Sequence, residues 1–286
     1  MMNLFRGEFY KLYKSKAFYV CCLVMACSII FIYGMLFVAD SIQRGEIANG
    51  SGGIYVGVSD SNGGMQQKSV PVLEEIGILD MLQQMFGNFG CFTVAIFACI
   101  FVIGEYGNGT VKNIVGKGYA RWQVFLAKYI STMAAGAILM VVMVFFTIII
   151  GGIVQHITGI PQDWSGAFWK ELLCYAGIEL LLGMAITGII ITISEICRNL
   201  AAGISISIGL LGFSTLITGG VDLIVKWLLP QADIRIADYW LVDLMTDCPL
   251  REIGGQFAMH ALLVGIVWGV LMAGAGILHF RRADIK

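Results

Sequence analysis

Six apolar runs, each long enough to cross a bilayer, leave this chain of 286 residues little from which to build a water-soluble core. They fall at roughly 18–39, 86–104, 124–154, 171–193, 200–218 and 257–279. A hydrocarbon layer about 30 Å thick takes about 20 predominantly apolar residues per helix, and every backbone polar group inside it must find a partner within the protein. The runs lack the apolar–polar alternation of barrel strands, so the expected fold is an all-α polytopic membrane protein with six transmembrane helices in one domain over 1–286. The third run is longer than a span requires and is expected to tilt or project. Only Ser194 to Asn199 separates the fourth run from the fifth, which makes that pair a tight antiparallel hairpin. Charged residues are 13% of the chain, against about 25% in soluble domains. With a net charge of −1 and no basic arm carrying interleaved aromatics, nothing points to a nucleic-acid partner.

Orientation follows from lysine and arginine. If both termini are cytoplasmic, the inner segments hold Arg6, Lys11, Lys14, Lys16, Lys112, Lys117, Arg121, Lys128, Arg198, Arg281, Arg282 and Lys286, leaving the other six spread over longer, acidic outer segments. Residues 1–16 are too polar, and the run after them too long, for a cleavable signal peptide. Leu4, Phe5, Phe9, Leu12 and Tyr13 recur at helical spacing, so this stretch reads as an amphipathic interfacial helix in contact with membrane lipid, as a flank that sets topology, or as both. The outer segment 40–85 carries two glycine-rich stretches around a short strand at Ile54 to Val58, and Asn49-Gly-Ser51 matches a glycosylation sequon. In the second outer segment, 219–256, the apolar stretch Val221 to Leu229 is too short to span and is expected to form a re-entrant or interfacial helix ended by Pro230. Most of the eight cysteines fall within apolar runs, and their pattern gives neither a disulfide framework nor a metal spacing.

The segment between the second and third runs, 105–123, is polar, basic and punctuated by glycine. Thr110 is a plausible N-cap; Val111, Ile114 and Val115 share one face of a two-turn helix, Lys112, Asn113 and Lys117 the other, and Gly118 can close it in a left-handed conformation. So short a helix needs a surface to dock on, though an ordinary positive inner loop would look similar. Glu105 sits at the membrane exit and needs a Lys, Arg or backbone-amide partner. The segment is not a phosphate loop: with Gly116-Lys117-Gly118 aligned, Val111 stands where the first glycine belongs and Gly118 where the hydroxyl belongs. No catalytic constellation is evident, and His156, His260 and His279 lie apart without metal spacing. Glu179 lies well inside the fourth run, as a substrate contact or as a structural polar group. Ala201, Ser205, Gly209 and Gly212 in the fifth run, and Gly265 and Gly269 in the sixth, form small faces suited to helix packing, with pore lining as the other reading.

The order of Glu105-Tyr106, Gly109-Thr110, a short lysine-containing helix, then Arg121 and Lys128 entering a span resembles the membrane subunits of ABC-2 type exporters. Gly7 to Lys16 resembles the segment that opens these subunits, and Phe280 to Ile285 the end of their last span. Within that family the likeness is greatest to the bacitracin and lantibiotic resistance or immunity permeases. The resemblance implies a type V exporter-like ABC-2 permease in a bacterial plasma membrane, with an amino-terminal elbow helix and a coupling helix. It implies two cytoplasmic ABC ATPase subunits and a second permease, identical or not, as partners. Glu105, Tyr106, Gly109, Thr110, Val111, Lys112, Ile114, Val115 and Lys117 would then form the ATPase contact. This chain itself would bind no cofactor, with ATP and Mg held by the partner. An apolar path with few charges suits an amphipathic cargo such as an antimicrobial peptide or a lipid-like molecule. A sodium exporter of the same architecture would call for more intramembrane carboxylates. An intramembrane enzyme would call for paired polar groups at equal depth in adjacent spans, and a sensor for a cytoplasmic signalling domain.

Overall fold

A computed structural model describes residues 2–48, 56–59, 65–68, 77–107, 110, 114, 116–159, 164–228, 235–248 and 255–282. Six helices are long and apolar enough to cross a membrane: Lys16–Ile42, Ile78–Tyr106, Arg121–Thr158, Gly166–Cys197, Leu200–Leu228 and Gly255–Arg281, here spans one to six. A separate helix, Met2–Lys14, precedes them. It turns Leu4, Glu8 and Leu12 inward at a spacing of four and leaves Phe9, Tyr10 and Tyr13 exposed.

Spans two and four form the centre. In their most apolar stretches 65% and 67% of residues are buried, against 17–28% in the other four, whose outward faces carry large aliphatic and aromatic side chains. Lipid tails are as apolar as leucine, so hydrophobicity alone does not hold such helices together; close backbone approach and polar bridges do. Span four supplies both. Gly183 and Gly188 let Met140 and Tyr129 of span three pack directly onto its backbone, and Gly265 of span six lies against Leu181. The Tyr129 hydroxyl, seated over Gly188, donates to the carbonyl of Gly269 at 2.9 Å and so ties span three to span six. Thr192 donates to the Met272 carbonyl at 3.1 Å, and Ser194 lies 3.3 Å from Cys99, which in turn meets Ser207 of span five at 3.5 Å. Span four opens on Ser165, whose hydroxyl accepts from the Phe168 amide, and closes on Arg198 in a left-handed conformation at φ 51°.

Several bounds differ from those read off the sequence. Span two begins at Ile78 instead of 86, because Ile78, Met81, Leu82, Met85 and Phe86 continue one buried stripe past the polar Gln83 and Gln84. Its helix widens into a π turn over Met85–Gly90. Span five runs unbroken to Leu228, so the expected separate helix at 221–229 is instead the end of that span. Gly219 and Gly220 are accommodated in the helix, and Asp222 beyond them accepts the amides of Ile236 and Ala237 at 2.6 and 3.3 Å. The short helices between spans five and six are the 3₁₀ turn Ile236–Tyr239 and the α-helix Leu241–Asp247. Between spans one and two Val56–Ser59 pairs antiparallel with Met65–Lys68, Val56 opposite Lys68. The sequon at Asn49 lies outside the described residues.

The small faces also separate. Gly265 is buried against Leu181, whereas Ala201, Ser205 and Gly212 point outward; span five packs instead through Gly203, Ser207, Leu211, Ser214 and Thr218. Substituting valine at Gly188 should therefore cost about 1–3 kcal/mol of stability by driving a side chain into Tyr129. Valine at Gly212, where nothing lies within 4 Å, should leave melting in detergent unchanged. Thermal unfolding of the two purified variants checks the contrast.

Candidate functional site

Charged side chains meet at the end of the bundle where span two leads into the 107–120 connection. Lys11 of the amino-terminal helix places its ammonium 2.7 Å from Glu8 and 3.0 Å from Glu105 in the last turn of span two. The other oxygen of Glu105 lies 3.1 Å from Nζ of Lys128, which enters from the second turn of span three. Lys128 also lies 3.5 Å from Glu195 in the last turn of span four. Glu195 accepts a short hydrogen bond from the Tyr106 hydroxyl. The Tyr106 ring has Lys128 Nζ 4.8 Å from its centroid, and the guanidinium carbon of Arg198, just past span four, at 5.4 Å. One chain of contacts thus runs Glu8–Lys11–Glu105–Lys128–Glu195–Tyr106, drawing in the amino-terminal helix and spans two, three and four.

These groups are almost dry. Lys128 and Glu195 are each 1% exposed, Glu8 3% and Glu105 8%. Lys128 is compensated by its ion pairs with Glu105 and Glu195 and by the face of the Tyr106 ring. At the rim, burial opposes the Lys11 ammonium, but its hydrogen bond to Glu8 and the charge of Glu105 outweigh this and hold it above the usual lysine range. Burial, and then the negative charge of Glu105, push the Glu8 carboxyl up, with Lys11 pulling the other way. Lys11 is therefore engaged inward, which leaves Arg6 and Lys14 as the exposed cations of that helix.

Glu105 and Tyr106, expected on a partner-facing surface, instead point into this joint: a carboxylate at the membrane exit is better compensated by two lysines of its own chain than by water. Of the remaining coupling candidates, Thr110 and Ile114 are helical and half-buried, and Ile114 packs against the core. Lys117 is exposed, its amide donates to the Ile114 carbonyl, and Gly118 follows at φ 88°, the left-handed closure expected of it. Gly109, Val111, Lys112 and Val115 lie outside the described residues. Glu179 is fully buried but 16 residues before Glu195, about 24 Å along span four. The roles of Glu8, Lys11, Lys128, Glu195 and Arg198 escaped the sequence reading. The available signal was that acids and bases of opposite sign sit near the same-side ends of the amino-terminal helix and spans two to four.

Six candidate spans around a buried ionic joint define a multi-pass membrane protein. The model of the ABC-2 family transporter proteins matches residues 2–285, and the chain belongs to that family. No curated protein matches the chain. The family is a membrane component of transporters and implies association with an ABC ATPase.

If the joint is Coulombic, replacing Lys128 by methionine leaves Glu105 and Glu195 buried and undercompensated. Stability should fall by about 3–5 kcal/mol. Adding Glu195→Gln to Lys128→Met should recover a substantial part of that loss. Melting of the single and double variants in the same detergent measures the coupling.

Proposed function

We propose that the chain is the permease subunit of an ATP-driven ABC-2 exporter in a bacterial plasma membrane, both termini in the cytoplasm. It works with a second permease and two cytoplasmic ATPases. Its cargo is an amphipathic molecule, an antimicrobial peptide or a lipid-like compound, in the manner of the bacitracin and lantibiotic resistance permeases. ATP and Mg belong to the partner.

The observation that carries this reading, beyond family membership, is where the joint sits. The connection 107–120 leaves span two directly after Glu105 and Tyr106, and Ile114 anchors its helical part to the core. A push on that connection reaches Glu105 and Tyr106 first, and through Lys128 and Glu195 reaches spans three and four. Packed interfaces and ion pairs favour discrete arrangements over continuous bending, which suits alternating access driven by closure of the ATPases. The amino-terminal helix, held through Lys11, acts as an elbow lying on the inner membrane surface.

Charge reversal at both Lys112 and Lys117 should weaken ATPase association and reduce ATP-dependent transport severalfold without changing membrane insertion. Co-purification of the ATPase with the permease, followed by transport in reconstituted vesicles, tests this. A permease that brings down no ATPase, together with undiminished transport by the doubly reversed variant, would sink the coupling role.

A further inference from the structure

At the joint, every buried charge faces an opposite one within 3.5 Å. The other half of span four is different. Glu179 is 0% exposed, makes no ion pair with a described residue, and has the Tyr175 hydroxyl as its polar neighbour. Tyr175, one turn earlier on the same face, is buried and its hydroxyl is turned to Glu179. Buried charges are nearly always paired, so a carboxyl left with a phenol and no counter-ion calls for an explanation.

Their surroundings supply one. The Tyr175 ring meets Phe86 edge-on, centroids 6.2 Å apart, and Phe86 belongs to the π turn Met85–Gly90 of span two. Single π turns inside α-helices are frequent at functional sites. Cys91, directly after that turn, lies within electrostatic range of Glu179 and 3.8 Å from the sulfur of Met245 in the helix Leu241–Asp247. That helix closes over the outer end of span two, where Gln83 donates to the Thr246 carbonyl at 2.8 Å. Cys248 at its end is buried, and its thiol is pushed up to about 12, first by burial and then by the charge of Glu179.

The described residues contain no group of three His, Cys, Asp or Glu placed to hold a metal ion. What the cluster offers is one carboxyl beside two aromatic rings, a combination that recognises an organic cation by charge and by ring face together. We propose that Glu179 is the anionic contact for an amine or guanidinium group of the transported molecule. The site lies between spans two and four and is closed in this conformation by the π turn and the helix Leu241–Asp247. The proposal rests on the transport reading and narrows it: the cargo is an amphipathic cation.

The full chain in phosphatidylcholine nanodiscs tests it, with dodecylamine as probe and dodecanol as the uncharged match, read as the shift in melting followed by tryptophan fluorescence. Dodecylamine should raise the melting temperature saturably where dodecanol does not. Glu179→Gln should raise the half-saturating amine concentration by about tenfold or more, as loss of a charged contact requires. Glu179→Asp should retain part of the response. Equal responses to amine and alcohol, or an unchanged half-saturation in Glu179→Gln, overturn the site. So does a melting temperature that depends on pH through Glu179 but not on the amine, which would assign the carboxyl to a proton. If Glu179→Gln does not fold, the amine–alcohol comparison on the wild type and on Glu179→Asp decides. None of these readouts involves the ATPase, so a failed ATPase co-purification would sink the transport reading while leaving the amine result standing.

Discussion

A lysine ammonium with 1% exposure in the second turn of a membrane span persists only if acids are brought to it, and the arrangement around Lys128 follows from that requirement. Removing such an ion from water costs several kcal/mol even after relaxation. Glu105 and Glu195 come from different spans, so meeting Lys128 fixes the ends of spans two, three and four at one depth. Glu105 has a second oxygen, and Lys11 takes it, which positions the amino-terminal helix as well. Removing one member strands another charge, so the joint holds or gives way as a unit.

Span four is central for a related reason. Within four residues, Thr192, Ser194 and Glu195 reach span six, span two and span three respectively. The same helix carries the glycines over which Met140 and Tyr129 lie. Polar contacts of this sort are worth modest amounts singly in a membrane, on the order of 1 kcal/mol. Their concentration near one end of one helix makes that end the place where relative movement of the outer spans is registered.

The six spans were legible because their signal is local: about twenty apolar residues in a row need no knowledge of neighbours. The turn at Gly118 was legible for the same reason, since a glycine after a short amphipathic helix is a local instruction. The joint was not legible as a unit. Lys11 and Glu105 are 94 residues apart, and Tyr106 and Glu195 are 89 apart. A single sequence offers no measure of which charge at a span end faces which. The need of Glu105 for a Lys, Arg or backbone-amide partner was readable from its position; that two lysines meet it from different helices was not. Likewise the small residues of span five were visible, but whether Ala201 or Gly203 turns inward depends on the helix's rotation about its axis, which packing sets. The start of span two was misplaced because Gln83 and Gln84 interrupt composition without interrupting the buried stripe.

Compensation is distributed unevenly along span four. Near its carboxyl-terminal end the acid is matched by ions of the same chain; about 24 Å away, near the middle of the helix, Glu179 has no counter-ion among the described residues. A helix matched throughout would have one preferred setting, determined by its own chain. A helix whose acid is matched at one site and lacks a counter-ion at a second gains from a cation that completes the second. Binding there bears on the first, because a single unbroken helix, Gly166–Cys197, joins the two. Coupling between distant sites needs a contiguous element that both can bias. Span four is contiguous, central and differently compensated near its middle and at its carboxyl-terminal end, so it is the element through which a force on the 107–120 connection and a cation near Glu179 would be felt by one another.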